Sequence, residues 1–306
     1  MMSRLPESLH AADFDEFFRS LNDGHEPFPW QTMLMKDVAG EAAPGFPAQW
    51  PDLIDLPTAS GKTACMDVAV FALAMGLCTP RRIWFVVDRR IVVDEAYERA
   101  ERIARALFEP KEPILKKVRA NLLAVGGWSA EKKDDRRPTA LGVARLRGGA
   151  PRQVGWSRNP IQPAVITSTI DQFGSRLLFR GYGVGDRMLP IHAALAGNDS
   201  LVIVDEAHLA GPFIESVGYV QQLRGKPWAN EPVEKPFKLM VMSATPPAGK
   251  QTWDMFPKPQ EREAALQSEI LQRRIRASKP AELVLVPGKT KKGKGESLSG
   301  DELVAE

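Results

Sequence analysis

Short, unbroken apolar runs recur along this chain, separated by stretches in which apolar positions return at helical spacing. Leu53 to Leu56, Arg82 to Val87, Leu122 to Val125, Ala164 to Ile166, Leu201 to Val204 and Phe237 to Met242 read as strands. Lys62 to about Leu77 and Ile91 to Leu107 read as the helices between them. Runs that are apolar on both faces and joined through helices predict an α/β domain whose mostly parallel sheet is covered by helices on both sides.

The ends of the chain read differently. Phe14, Phe17, Phe18 and Leu21 recur at helical spacing, so residues 1–22 are expected to form a helical extension packed on the main domain, which runs from 23 to 280. Residues from about 126 to 163 break the rhythm with Gly, Pro, Lys and Arg, including Lys132 to Pro138, and predict a surface insertion that is partly mobile. A charged helical stretch is expected from Glu261 to Arg276 and a strand from Ala281 to Val286. Lys- and Gly-rich residues 288–296 then predict a flexible linker, so that 281–306 is the start of a linker or second domain that is cut short.

Composition narrows the class. With 306 residues, 43% of them hydrophobic, the chain is long enough to bury one large core. The longest apolar stretch, Met66 to Cys78, is interrupted by Asp67 and is too short to span a bilayer, and charges stand where a signal peptide carries its apolar core. A cytoplasmic protein with no membrane partner is expected. Cys65 and Cys78, both placed in the predicted helix after Lys62, read as small core residues rather than as a disulfide or a metal pair. A net charge of +3 is too small to identify a nucleic-acid partner. The basic islands are more informative: Arg81-Arg82, Arg89-Arg90, Arg145 with Arg147 and Arg152, Arg176 with Arg180, and Lys289 to Lys294.

Chemistry concentrates where predicted strands end. Leu56-Pro57-Thr58-Ala59-Ser60-Gly61-Lys62-Thr63 reads as a phosphate loop, although Leu56 stands where the first glycine of the strict pattern would be. Gly61 permits close backbone approach, N–H groups from Ala59 to Thr63 face phosphate oxygens, Lys62 reaches the β- and γ-phosphates, and the Thr63 hydroxyl binds Mg²⁺. Downstream, Asp205 and Glu206 end an apolar run, the position at which parallel sheets present ligands. Asp205 is expected to hold Mg²⁺ through water, and Glu206 to orient and deprotonate the attacking water. The expected cofactors are therefore ATP and Mg²⁺, with Lys62, Asp205 and Glu206 catalytic. Ser243 and Thr245, together with His208, are expected to couple the γ-phosphate state to a nucleic-acid face. Upstream, Gln31 offers a planar amide for the Hoogsteen edge of adenine, in an entry loop with Trp30.

Residues 167–176 combine hydroxyls, an amide and arginine, a donor set that grips the phosphates of a single strand. Ser168, Thr169, Gln172, Arg176 and Arg180, with Arg89 and Arg90, are the expected contacts to single-stranded DNA. Together these motifs read as those of a phosphate-loop, ATP-driven nucleic-acid motor.

The chain resembles superfamily 2 helicases of the DEAH type. In residues 55–64, 85–96, 146–152, 168–183 and 204–210 it is more closely similar to the helicase-nuclease of type I CRISPR systems, subtype U or G. That resemblance runs from about Trp30 to about Val286 and implies a motor recruited by a guide-RNA surveillance complex to reel in DNA during antiviral interference. It also implies a second RecA-like domain carrying an arginine finger, and an HD nuclease; no His-Asp dipeptide occurs in this sequence, and the expectation is that both parts are missing here. The alternatives are a nucleotide- and strand-binding fragment without efficient hydrolysis, and the motor of a restriction system.

Overall fold

The computed structural model describes residues 5–277 apart from 41–44, 129–138, 150–152, 154, 207, 209, 226–227, 229–235 and 246–252. The chain divides into a unit Met1–Ile275 and a second unit Arg276–Glu306. The expected strand at 281–286, the linker at 288–296 and the run Lys132 to Pro138 lie outside the described residues, as does Arg152.

Strands β1 (Leu53–Asp55), β2 (Arg82–Val87), β3 (Gly142–Leu146), β4 (Ala164–Thr169), β5 (Ser200–Val204), β6 (Phe237–Ser243) and β7 (Met255–Phe256) form one sheet in the order β3-β4-β2-β5-β6-β1-β7. Every pairing is parallel. The helices are α1 (Phe14–Leu21), α2 (Pro29–Ala39), α3 (Cys65–Ala74), α4 (Arg90–Phe108), α5 (Pro113–Val125), α6 (Ile170–Leu177), α7 (Leu189–Gly197), α8 (Gly211–Leu223), α9 (Arg262–Ala265) and α10 (Glu269–Arg276).

Consecutive strand residues point to opposite faces, and both faces are covered. Ile83, Phe85, Val87, Leu201 and Ile203 join a core with apolar residues of α1 to α5. Trp84, Val86, Val202 and Val204 join another with Phe173 and Leu177 of α6, Leu195 and Ala196 of α7, and Ile214 and Val217 of α8. Each strand must therefore be apolar at successive positions, which produces the unbroken runs in the sequence. Helix α1 buries Phe14, Phe17, Phe18 and Leu21 as expected, with the Phe14 and Phe17 rings 5.7 and 5.2 Å from Phe71 of α3.

Four expectations need correcting. Leu122 to Val125 is the last turn of α5, not a strand: Leu115, Val118 and Leu122 share one buried face at helical spacing, and four consecutive apolar residues masked that period. The segment 126–163 is not simply an insertion, because it supplies β3, which pairs with β4 from Gly142↔Ala164 to Leu146↔Ser168. Cys78 lies beyond the end of α3, past Gly76 with its φ of +77°, and is half-buried. Trp30 is not in a loop; it is fully buried on α2, whose first residue is Pro29.

Candidate nucleotide site and strand-facing edge

A parallel sheet carries all its carboxyl ends along one edge, and that edge collects the predicted chemistry. Asp55 pairs with Ser243, Val204 with Val241, Val86 with Val204, and Val87 with Thr169. The loops after β1, β6, β5, β2 and β4 therefore leave the sheet at one level.

After β1 the chain turns sharply. Leu56 is fully buried, so a core side chain occupies the place of the missing glycine. Ala59 has φ of +65° and Gly61 of +78°, and a 3-10 turn, Lys62–Ala64, leads into α3. A left-handed alanine is strained, which marks the loop as a held conformation. The Ser60 N–H turns back to Pro57 O at 3.4 Å, so it does not join the expected row of donors. Lys62 Nζ donates to Leu56 O at 3.1 Å and Pro57 O at 3.0 Å. Burial lowers the pKa of Lys62, opposed by Asp205, Glu206 and Asp55 among its neighbours.

Helix α2 braces this loop. The Trp30 indole N–H donates to Ser60 O at 3.0 Å, while Gln31 Oε1 accepts the Phe28 N–H at 2.8 Å and caps the helix. A Cβ at Gly61 would lie 3.6 Å from both Gln31 Nε2 and the Phe28 ring, so the Gln31 amide stands beside the loop. Two further contacts were not foreseen. Arg262 of α9 donates to Asp55 Oδ2 at 2.6 Å, and the Arg274 guanidinium of α10 lies 5.4 Å from the centre of the Phe28 ring. No local signal announced them, because each joins residues far apart in sequence.

At the end of β5, Asp205 N–H donates to Val86 O at 3.0 Å, and Asp205 Oδ1 accepts the Glu206 N–H at 3.0 Å. Glu206 is exposed with φ of +51°, and His208 is exposed. Burial raises the pKa of Asp205, and Lys62 is the chief opposing charge. Ser243 at the end of β6 is buried; its Oγ donates to Thr245 O at 2.7 Å and accepts the Thr245 N–H at 3.1 Å, closing the turn.

These residues suit a nucleotide with Mg²⁺. The Ser60 hydroxyl and Asp55 Oδ1 are buried without a hydrogen-bond partner, which is costly in a finished structure. Among the described residues no group of three or more His, Cys, Asp or Glu side chains could hold a metal alone. A Thr63 hydroxyl, one carboxylate and phosphate oxygens are, however, an ordinary donor set for a Mg²⁺ that keeps its waters.

The predicted strand contacts separate into two groups. Arg89, Arg90 and Arg180 are exposed, Gln172 is half-buried, and Thr169 Oγ1 accepts the Gln172 N–H at 3.4 Å to cap α6. Ser168 is fully buried on β4 and its hydroxyl donates to Thr169 O at 2.9 Å, so it offers no surface to a phosphate. Arg176 is 6% exposed and turned to the cleft beside β3 rather than to open solvent, with Nη1 donating to Gln172 O at 2.7 Å and Gln172 Oε1 at 2.8 Å. It lies on α6, and the side of that helix it occupies is set by packing that the residue types of 167–176 do not announce.

An all-parallel sheet with a phosphate loop after β1 and an Asp-Glu pair two strands away after β5 defines a RecA-like domain of the superfamily 2 helicase type. The sequence pattern of the type III restriction enzyme res subunit family matches residues 24–248. The chain belongs to that family. No curated protein matches it. Among the described residues, no helix is long and apolar enough to cross a membrane.

Proposed function

We propose that the domain binds ATP·Mg²⁺ at the β1 loop and uses its hydrolysis to move along single-stranded DNA, as the motor of a restriction-type defence enzyme. The observation that carries this reading is the convergence of Lys62 with Asp205 and Glu206 at one edge of the sheet, where Lys62 and Asp205 act on one another and Glu206 acts on both.

In this reading Lys62 meets the β- and γ-phosphates, the Ala59–Thr63 backbone cradles them, and Gln31 faces the adenine. Thr63 and Asp205 would hold Mg²⁺, which supplies charge neutralisation for phosphoryl transfer. Glu206 positions the attacking water and takes its proton. Ser243, Thr245 and His208 would couple the state of this site to the strand-facing groups Arg89, Arg90, Thr169, Gln172 and Arg180. The restriction setting is supported by the family match. A CRISPR setting, with a guide-RNA complex as recruiter, is supported by the phrases at 85–96 and 168–183 alone; genomic neighbours separate the two.

Lys62→Ala is the direct test. Removing the charge that meets the phosphates is expected to weaken Mg-ATP binding at least about 30-fold while leaving the circular dichroism spectrum unchanged. Undiminished affinity in a fluorescent-nucleotide titration would remove the phosphate-loop assignment.

A further inference from the structure

A cleft of about 700 Å³ opens at the other end of the sheet, beside β3. Counting strands at about 4.8 Å each, β4 is roughly 20 Å from β1, so this cleft is separate from the phosphate loop. Arg145, Arg147, Arg158 and Arg176 line it, with Tyr182 and His192.

No Asp or Glu is among its lining residues. Asp94, behind it, accepts from Arg145 Nη1 at 2.8 Å and Arg147 Nε at 2.7 Å, so one carboxylate serves two guanidiniums. Arg176 has no ion-pair partner among the described residues, although it is more than nine-tenths buried. Three buried nitrogens at this cleft lack a hydrogen-bond partner: Arg145 Nε, Arg176 Nε and His192 Nδ1. Burial pushes the Arg176 guanidinium down to about 10 and, with Arg176 as second cause, His192 down to about 4.

A buried cation without a counter-charge is unfavourable unless something anionic completes it. Low-dielectric walls carrying one sign of charge also concentrate anions. The volume exceeds what a bare phosphate needs and falls in the range of small-molecule sites. Tyr182, well exposed, adds an aromatic surface at the same cleft. The Gly148-Gly149 turn completes the rim, with Arg90 Nη2 3.1 Å from where a Gly148 Cβ would stand.

We propose that this cleft is a second nucleotide site, which holds a phosphate ester against Arg176 and Arg147 and stacks its base on Tyr182. The site stands without the motor reading. Its occupant is either a free mononucleotide or one nucleotide of a bound strand, and only the second source rests on that reading.

The test uses the full chain carrying Lys62→Ala, so that the phosphate loop does not compete, and titrates thymidine, thymidine 5′-monophosphate and a 5′-phosphorylated thymidine oligonucleotide. Saturable binding of a phosphorylated probe but not of thymidine is expected. Arg176→Met should weaken it at least about tenfold, the worth of a charge-assisted phosphate contact. Tyr182→Ala, at an exposed position that keeps the fold, should weaken it about fivefold or more by loss of stacking. Mononucleotide binding identifies a free ligand, and binding of the oligonucleotide alone identifies a strand nucleotide; both support the site. Equal binding of thymidine, no binding of either phosphorylated probe, or affinities indifferent to both substitutions overturns it. Mg-ATP binding with Lys62 intact decides the motor reading separately.

Discussion

The two ends of the sheet handle buried charge in opposite ways. Near β1, Lys62 lies among Asp55, Asp205 and Glu206, and one helical turn further on α3 Asp67 is paired with Arg99. Near β3, guanidiniums outnumber carboxylates and Arg176 has no anionic partner among the described residues. At the first end carboxylates are in excess, so the buried lysine has counter-charges within reach. At the second, a phosphate in the proposed site would supply the missing counter-charge.

The sharpest way to break this contrast is at the carboxylate pair. Glu206→Gln keeps size and loses the proton acceptor, so turnover by the assembly that hydrolyses ATP is expected to fall about 10²–10⁴-fold with nucleotide affinity retained. Steady-state ATPase kinetics with a binding titration checks both halves; normal turnover would leave the water without this base.

Next in size is Arg99→Ala. Asp67 is buried, with Arg99 Nε donating to its Oδ1 at 3.2 Å, and burial already raises its pKa against the lowering effect of Arg99. Removing the cation leaves an uncompensated carboxylate, at a cost of about 3 kcal/mol near neutral pH. A raised carboxyl pKa means that the folded state binds the proton more tightly than the unfolded chain does. The penalty should therefore shrink as pH falls towards 4 and grow as pH rises, in urea denaturation across that range.

His192 should show the reverse sign. Its folded pKa of about 4 lies below the ordinary 6.5, so between those values the unfolded chain takes up a proton that the folded chain refuses. Its contribution is complete above pH 6.5 and is lost as pH falls to 4, by about 2–3 kcal/mol. His192→Phe, which keeps a ring against Trp156 4.7 Å away, should flatten that part of the profile. The smallest effect is at Arg176. Arg176→Met trades an unpaired buried cation for an apolar side chain and should change stability between zero and about 1 kcal/mol in the favourable direction. A loss comparable to that of Arg99→Ala would erase the distinction between the two ends.

How much could be read in advance also differs between them. The β1 end was legible because its chemistry is local: Gly61, Lys62 and Thr63 are neighbours, and Asp205-Glu206 directly follow an apolar run. Strands buried on both faces announced themselves as runs, and β2 was legible from its first residue to its last. Helices α6, α7 and α8 were not anticipated, since α6 is short, α7 is evenly apolar and α8 buries only Ile214 and Val217, and α5 was obscured by its last four residues. The β3 end was legible only as basic islands. Whether Arg176 faces solvent or core depends on the register of α6 against β4 and α7, which is a tertiary fact, and the same fact withdrew Ser168 from the surface.

The bond from Trp30 to the Ser60 carbonyl gives the molecule an optical gauge. An indole that is fully buried and tethered by its N–H to the backbone of the phosphate loop has an emission colour and yield tuned by that carbonyl dipole. Trp84 and Trp156 pack against each other in the other core, across the sheet. A rearrangement of the loop thus reaches Trp30 through a single hydrogen bond, and the emission of this one among seven tryptophans is expected to follow that movement once the other six are replaced.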